Sequence, residues 1–330
     1  MRALTDRLSR RHVLAAGAAF AATGCMPGSG RATGGTAIWG PPAGPSIILA
    51  LAERSGLLQR AFPDAHVAAW RSPDELRAGL ISGTMQVSVM PLNTAANLYN
   101  RGQDIRLFNI MTRGLLYIVS GDETVADIPS LAGRRLAVPY RKDAPDIILR
   151  RLLTHHGLDP QTDLTLRMAG SPVEATQLLL TGQVDAAFVP EPAVSAVIAA
   201  GSVVGRHLDR RIDVQRAWAA AAGAEATLPQ AGLAVTGDFH GEHRGAFREL
   251  ATVLTEAARQ TVADPAGAAR AAADIFRLPA AILEASISHS NLVSVSAAEA
   301  RGEVERYFAT IHEMDTDTLG GRLPDDDFYL

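Results

Sequence analysis

Aromatic, amide, hydroxyl and charged side chains follow the ends of several predicted strands. In chain order, the candidate ligand-binding residues are Trp39, Ser46, Met90, Asn93, Thr94, Arg113, Tyr140, Asp143 and Glu191. Aromatic faces stack on flat groups, whereas amides, hydroxyls and carboxylates orient a small polar molecule by hydrogen bonds. These residue types predict reversible ligand binding rather than bond-breaking chemistry.

Each candidate also has an ordinary structural interpretation. Trp39 and Tyr140 are compatible with packing, and Asn93 with capping of a helix. Arg113 is either an anion clamp or one half of a surface ion pair. Glu191, which stands between two prolines, is the candidate acceptor for an amine or a ring N–H of a ligand.

The sequence carries no familiar catalytic motif. It has no G-x-S-x-G turn around a nucleophilic serine and no Gly-rich phosphate loop ending in Lys-Ser/Thr. His240 and His243 lie three residues apart, but a metal site needs further ligands from elsewhere. We therefore predict no catalytic residue, no metal and no cofactor.

An internal repeat supplies the elements that position the candidates. Residues 45–57 (PSIILALAERSGL) resemble residues 145–158 (PDIILRRLLTHHGL), and residues 72–91 (SPDELRAGLISGTMQVSVMP) resemble residues 171–190 (SPVEATQLLLTGQVDAAFVP). Each copy alternates strands with helices. This alternation predicts the α/β class, with mainly parallel sheets flanked by helices.

The repeated helices have matching start and stop signals. Ser72 and Ser171 each precede a proline and are predicted N-caps. Gly83 and Gly182 are predicted at the position after each helix, where a left-handed backbone is needed.

The repeat predicts two similar lobes with a ligand cleft between them. Lobe 1 is expected to take residues 36–120 and 231–330, and lobe 2 residues 121–230. We predict one further strand at residues 105–111, a return strand within residues 230–239, and helices in the rest of the chain. Ligands of parallel sheets bind beyond the carboxyl ends of the strands, which is where the candidates lie.

Composition limits the class of partner. The 330 residues are 47% hydrophobic and 20% charged, enough for a large core. Loss of the first 24 residues lowers the net charge from −4 to about −7, because four arginines and one aspartate are removed. A mildly acidic surface argues against a nucleic-acid partner.

The N-terminal residues have the layout of an export signal. The first eleven residues carry four arginines, and residues 13–22 are uncharged and mostly small. This run is too short to span a bilayer, which needs about 20 residues. We predict a signal peptide over residues 1–24, followed by a lipidated cysteine and a tether over residues 25–35.

Cys25 is the only cysteine. The pair Arg10-Arg11 resembles a twin-arginine signal, and residues 22–25 resemble a lipobox, although Val13 and Ala22 replace the usual phenylalanine and leucine. We predict that Cys25 is acylated and anchors the protein. The alternatives are a cleaved signal peptide with an incidental cysteine, or a soluble protein with one buried cysteine.

Export signal, tether and repeated lobes together resemble the solute-binding proteins of ABC importers, in the nitrate, sulfonate, taurine and thiamine-pyrimidine-precursor group. The segments that carry the resemblance are LAERSGLLQ, LISGTMQVSVMPLNTAANLYNRGQDIRLF, DIPSLAGRRLAVP and LLLTGQVDAAFVPEPAVSAVI. They lie within roughly residues 36–240.

This resemblance implies a periplasmic-binding-protein type II fold and a monomer that captures a small organic solute, sulfonate- or taurine-like or pyrimidine-like, by lobe closure. The implied partners are that solute, an ABC permease with its ATPase, and the membrane through Cys25. The implied location is periplasmic or extracytoplasmic. Two alternatives stay open: an enzyme on the same fold, similar to pyrimidine synthases or menaquinone-pathway enzymes, and a sensory binding lipoprotein.

Overall fold

The computed structural model describes residues 35–223 and 226–330. The predicted signal peptide, Cys25 and most of the predicted tether lie outside the described residues. No helix in the described part of the chain is both long and apolar enough to cross a membrane.

The strands are short, with three to six residues each. They are β1 (Ala37–Gly40), β2 (His66–Ala69), β3 (Val87–Pro91), β4 (Ile105–Leu107), β5 (Asn109–Thr112), β6 (Leu116–Ser120), β7 (Arg135–Pro139), β8 (Thr165–Ala169), β9 (Ala186–Pro190), β10 (Asp209–Asp213), β11 (Ala231–Thr236) and β12 (Leu292–Ser296).

The helices cover both faces of the sheets. They are α1 (Gly44–Arg54), α2 (Leu58–Ala61), α3 (Pro73–Ile81), α4 (Leu92–Asn100), α5 (Ala144–His155), α6 (Pro172–Leu180), α7 (Ala193–Val203), α8 (Val214–Ala222), α9 (Gly237–Glu242), α10 (Arg244–Ala263), α11 (Pro265–Phe276), α12 (Ala280–Ile287) and α13 (Ala297–Met314). Short 3-10 turns occur at Pro129–Leu131, Thr316–Leu319 and Asp326–Phe328.

Two five-stranded sheets repeat the same topology. The first has the order β2-β1-β3-β11-β4, and the second the order β8-β7-β9-β6-β10. In each sheet one strand, β11 or β6, pairs antiparallel with both neighbours, and the other four run in one direction. The expected α/β fold with mainly parallel sheets is confirmed. We refer to the first sheet with its helices as lobe 1 and to the second as lobe 2.

The predicted helix signals are confirmed in both copies. Ser72 and Ser171 each accept a hydrogen bond at Oγ from the backbone N–H three residues on, at 3.1 and 3.2 Å. Gly83 and Gly182 both adopt φ = +74°, a conformation that side chains with a Cβ disfavour. The shared caps explain why α3 and α6 have the same length.

The strand predicted at residues 105–111 is wrong as a single element. It divides into β4, which pairs with β11, and β5, which pairs with β12 in a separate two-stranded ladder. Asn109 causes the break: its Oδ1 accepts from the Leu233 N–H at 2.9 Å, and its Nδ2 donates to Ser294 Oγ at 3.0 Å. The side-chain amide of Asn109 thus takes one hydrogen-bond donor of β11, the Leu233 N–H. The backbone of residues 105–111 leaves the ladder with β11 at this point.

The prediction that the chain after the return strand is all helical is also wrong. Strand β12 lies between α12 and α13 and pairs antiparallel with β5. Strand β10, with the sequence DRRID, was not predicted and forms an edge of the second sheet. Its charged residues suit an edge strand but hide the alternation by which strands are identified.

Two segments carry the chain between the sheets. In the first, Gly114 has φ = +123°, and a Cβ there would lie 2.2 Å from the Gln215 side chain. Gln215 and Gln230 hold this segment by accepting hydrogen bonds from the N–H groups of Leu116 (2.9 Å) and Leu115 (3.0 Å). The lobe boundaries at residues 120/121 and 230/231 stay predictions. Strand β6 lies within the range predicted for lobe 1, but it pairs with β9 and β10 of the second sheet.

Candidate functional site

The predicted site residues occupy the carboxyl ends of strands in both lobes. Trp39 is the penultimate residue of β1, Ser46 lies in the first turn of α1, Met90 lies buried in β3, and Asn93 and Thr94 lie in the first turn of α4. In lobe 2, Tyr140 and Asp143 follow β7, and Glu191 follows β9. Arg113 lies in the first segment between the sheets.

The structure brings two of these candidates together across the lobes. Asn93 Nδ2 of lobe 1 donates to Asp143 Oδ1 of lobe 2 at 2.8 Å, and Asn93 is only 3% exposed. The same Asp143 oxygen caps α5 by accepting from the Ala144 N–H at 2.7 Å. The loop after β7 and the start of α4 therefore meet at this point.

Three candidates of lobe 1 carry buried polar atoms without a hydrogen-bond partner among the described residues: Trp39 Nε1, Ser46 Oγ and Asn93 Oδ1. A buried polar atom left unpaired costs about 1–3 kcal/mol. Trp39 lies near the carboxyl end of β1, and Ser46 and Asn93 lie in the first turns of the helices that follow β1 and β3. Gly40 belongs to the same edge, since a Cβ there would lie 2.4 Å from Ser46 Oγ.

Tyr307 of α13 is a buried phenol that was not predicted as a site residue. Its ring is 1% exposed, its hydroxyl has no partner among the described residues, and its centroid lies 6.1 Å from that of Trp218. Burial, and then the charge of Asp143, raise the pKa of Tyr307; the same two causes raise the pKa of Tyr140. Both phenols therefore stay protonated near neutral pH.

Glu191 is occupied by protein donors in this structure. It is fully buried; Oε1 accepts from Arg210 Nε at 2.8 Å, and Oε2 accepts from the Ser195 N–H at 3.0 Å. Burial raises the pKa of Glu191, and Arg210 opposes that shift. Its role as a ligand acceptor stays a prediction. Arg210 was missed because it lies on β10, the unpredicted strand.

Arg113 forms an ion pair with α13. Its Nε lies 3.0 Å from Glu303 Oε2 and its Nη2 lies 2.9 Å from Glu303 Oε1, and this hydrogen bonding raises the pKa of Arg113. Thr227 donates to the same carboxylate at 2.6 Å. The observed contact is the ion pair that the sequence allowed; the anion-clamp role stays a prediction.

A cavity of about 500 Å³ opens beside the hydrogen bond between Asn93 and Asp143. This volume lies within the range of pockets for small organic molecules. Both lobes contribute to the wall, together with the segment after α13. The lining residues are Arg77, Asn93, Thr94, Asn97, Leu98, Arg101, Arg141, Lys142, Asp143, Asp315, Asp317 and Thr318. Its rim thus carries charges of both signs.

Across residues 35–223 and 226–330, no group of three His, Cys, Asp or Glu side chains is arranged to hold a metal ion. Within these ranges, the residues that line the cavity supply mainly hydrogen-bonding and charged groups.

Comparisons with known proteins agree with this architecture. A family model described as NMT1-like matches residues 73–276. A protein described as an ABC transporter from Parabacteroides distasonis is 27% identical, with a TM-score of 0.71 over 89% of this chain and 98% of that chain. A search of curated proteins finds no match.

Two more distant structures show the fold alone. The alkanesulfonate-binding protein SsuA from Xanthomonas axonopodis pv. citri, solved bound to MOPS, has a TM-score of 0.62 at 19% identity, over 86% of this chain and 95% of that one. The periplasmic nitrate-binding protein NrtA from Synechocystis PCC 6803 has a TM-score of 0.60 at 12% identity, over 86% and 83%. The expected two-lobe fold of periplasmic solute-binding proteins is confirmed.

Proposed function

This chain belongs to the NMT1-like family, and on that premise we propose that it is the solute-binding protein of an ABC importer. It captures a small organic solute, sulfonate- or taurine-like or pyrimidine-like, between its lobes and delivers it to a permease and its ATPase. The likeness to the ABC transporter protein of Parabacteroides distasonis, at 27% identity over 89% of this chain, supports the proposal.

The observation that carries the proposal is the unpaired polar edge of lobe 1. Trp39 Nε1, Ser46 Oγ and Asn93 Oδ1 are buried without partners, and Asn93 also reaches Asp143 in the opposite lobe. A solute that supplies the missing partners offsets their desolvation cost. Because Asn93 lies where the lobes meet, a solute that contacts it favours the closed arrangement and couples binding to closure.

We propose binding without catalysis. Both carboxylates of the site accept hydrogen bonds from protein groups. Glu191 accepts from Arg210 and from the Ser195 N–H, and Asp143 accepts from Asn93 and from the Ala144 N–H at the start of α5. Asp143 makes no hydrogen bond to a serine, threonine or histidine side chain among the described residues. The neighbouring structures are likewise binding proteins of transporters.

We also propose export and anchoring. Residues 1–24 direct the chain out of the cytoplasm, and Cys25 carries the lipid. The basic and then apolar N-terminal sequence supports this assignment. A Cys25→Ser variant expressed in cells is expected to move from the membrane fraction to the soluble fraction. Retention in the membrane fraction would contradict lipid anchoring without affecting the binding proposal.

The test of binding is a thermal-melt panel on the purified protein with alkanesulfonates, taurine, aminopyrimidines and nitrate. A solute at about 100 times its dissociation constant adds about 2.7 kcal/mol of stability. One sharp hit among the organic solutes supports the proposal. A folded protein whose melting temperature is unchanged by every compound contradicts it.

A further inference from the structure

We infer that the turn between α12 and β12 (residues 288–291), here named the brace, holds the first segment between the sheets in place, and that a proton taken up by His289 loosens it. Acid then shifts the lobes towards the open arrangement. This device regulates the lobe movement that the proposed function requires, and it lies outside the cavity beside Asn93 and Asp143.

The brace is fixed to lobe 1. It follows α12, which packs against α11, and Ser290 Oγ donates to the Ser286 carbonyl of α12 at 2.7 Å. Gly44 at the start of α1 packs closely on the same residue, since a Cβ there would lie 2.6 Å from Ser290 Oγ. The brace is therefore expected to move with lobe 1.

Hydrogen bonds join the brace to the first segment between the sheets. Thr112 Oγ1 donates to the Ser290 carbonyl at 2.6 Å. The Asn291 carbonyl accepts from the Arg113 N–H at 3.0 Å, and Asn291 Nδ2 donates to the Gly114 carbonyl at 2.8 Å. Asn291 has φ = +41°, a left-handed conformation that side chains with a Cβ disfavour. Such strain persists where the surrounding contacts demand it, which indicates that this junction has a defined geometry.

His289 carries the brace across to lobe 2. The Tyr117 hydroxyl of β6 donates to the His289 carbonyl at 3.0 Å, and the two rings meet edge-on with centroids 5.9 Å apart. Helix α12, directly before the brace, also packs against α7 of lobe 2. The brace therefore fixes the position of β6 relative to lobe 1.

A charge on His289 would meet a cation that is already in place. The Arg210 guanidinium lies 5.8 Å from the centroid of the same Tyr117 ring, and it pairs with the fully buried Glu191. Asp213, at the end of β10, acts in the opposite sense. Burial and then Arg210 outweigh it, so the pKa of His289 is lowered. The brace is thus firm above the ordinary histidine pKa and is lost as pH falls through the lowered one.

The other groups around the brace do not titrate in this range or are remote from His289. Burial raises the pKa of Tyr117 to about 12, so its hydroxyl stays a donor. Arg113 is paired with Glu303, α7 carries no charged residue, and Glu284 of α12 is exposed to solvent.

The experiment measures the distance between the lobes in the ligand-free protein by pulsed electron paramagnetic resonance. Spin labels are attached to Ala78→Cys and Gln177→Cys, which are matching exposed positions of α3 and α6. A Cys25→Ser background leaves no other cysteine. Distances are recorded at about pH 7.5 and at about pH 5, on the two sides of the histidine range.

Two variants separate the brace from its proton. Tyr117→Phe removes only the hydroxyl that bonds the brace and should raise the open population by about 2- to 10-fold at neutral pH. Its control is Tyr329→Phe, because the Tyr329 hydroxyl has no hydrogen-bond partner among the described residues. His289→Gln removes the titrating ring, and His156→Gln, at an exposed histidine, is its control.

The wild type and both controls are expected to shift towards longer distances at acidic pH, whereas His289→Gln keeps its neutral-pH distances. No shift in the wild type, or an equal shift in His289→Gln, overturns the role of His289. Wild-type distances in a folded Tyr117→Phe overturn the brace. These distances are measured without a solute, so a failed brace and a failed binding panel are distinguishable.

Discussion

Asn93, at the start of α4, donates a 2.8 Å hydrogen bond to Asp143, the N-cap of α5, and so joins the two lobes. Both residues line the cavity of about 500 Å³. The contact links the ligand site to the relative position of the lobes, since a solute that binds Asn93 or Asp143 also acts on the bond between them.

The Asn93→Ala variant removes the bridge between the lobes. A hydrogen bond to a charged group contributes about 1.5–3 kcal/mol, so the ratio of open to closed lobes should rise by about 10- to 100-fold. Small-angle scattering of the ligand-free variant should show a larger radius of gyration than the wild type. Asn97→Ala is the control, because Asn97 lies on the same helix but donates to the Asp317 carbonyl. An equal radius for both variants would contradict the bridging role.

The Ser46→Ala variant tests whether the unpaired Ser46 hydroxyl binds a ligand. Ser46 is fully buried with a free hydroxyl, so its removal should raise the free energy of unfolding by about 1 kcal/mol and weaken solute binding. Ser88→Ala is the matched control, since Ser88 is equally buried but accepts from Trp70 Nε1 at 3.1 Å. Denaturant melts should show a lower free energy of unfolding for Ser88→Ala than for the wild type. Similar destabilisation of both variants would mean that Ser46 has a partner in the ligand-free protein.

The pair of Arg210 and Glu191 should behave as a buried ion pair. Arg210→Met leaves the Glu191 charge buried and should cost about 3–5 kcal/mol, much of which Glu191→Gln should recover in the double variant. Arg135→Met is the control, because its pair with Asp185 is largely exposed and is expected to contribute about 0–1 kcal/mol. Additive effects of the two substitutions in chemical denaturation would exclude this coupling.

His289 packs edge-on against Tyr117 of β6, with ring centroids 5.9 Å apart, and should make the stability of the fold sensitive to acid. Burial, and then the charge of Arg210, lower the pKa of His289, while Asp213 opposes the shift. A folded-state pKa below the unfolded value means that this contribution to stability is present above the ordinary histidine pKa and is lost as pH falls through the lowered one. His289→Gln should therefore lose less stability than the wild type on acidification from neutral pH.

Urea denaturation across that pH range measures this effect. His156→Gln serves as the control because His156 is exposed at the end of α5. The same acid sensitivity in the wild type and His289→Gln would contradict the prediction.

The repeat made much of the fold predictable, because its signals are local. The caps at Ser72 and Ser171 and the glycines after α3 and α6 fix helix ends from neighbouring residues alone. The break at Asn109 was hidden because its cause, the N–H of Leu233, lies 124 residues along the chain.

The site was only partly predictable for the same reason. Asn93 and Asp143 stand at strand ends that the repeat reveals, so both were identified from sequence. Tyr307 was missed because its spacing from Val304 and Ile311 is that of an ordinary apolar helix face. Arg210, the partner of Glu191, lies on a charged edge strand without the usual alternation.

Calorimetric titration of the wild type with the solute that gives the largest thermal shift, beside Asn93→Ala and Asn100→Ala, tests capture between the lobes most directly. Asn100 lies on the same helix but outside the cavity wall, where it donates to the Leu319 carbonyl. The account predicts one site per chain, a loss of about tenfold or more in affinity for Asn93→Ala, and wild-type affinity for Asn100→Ala. Undiminished binding by a folded Asn93→Ala variant would contradict capture at this site.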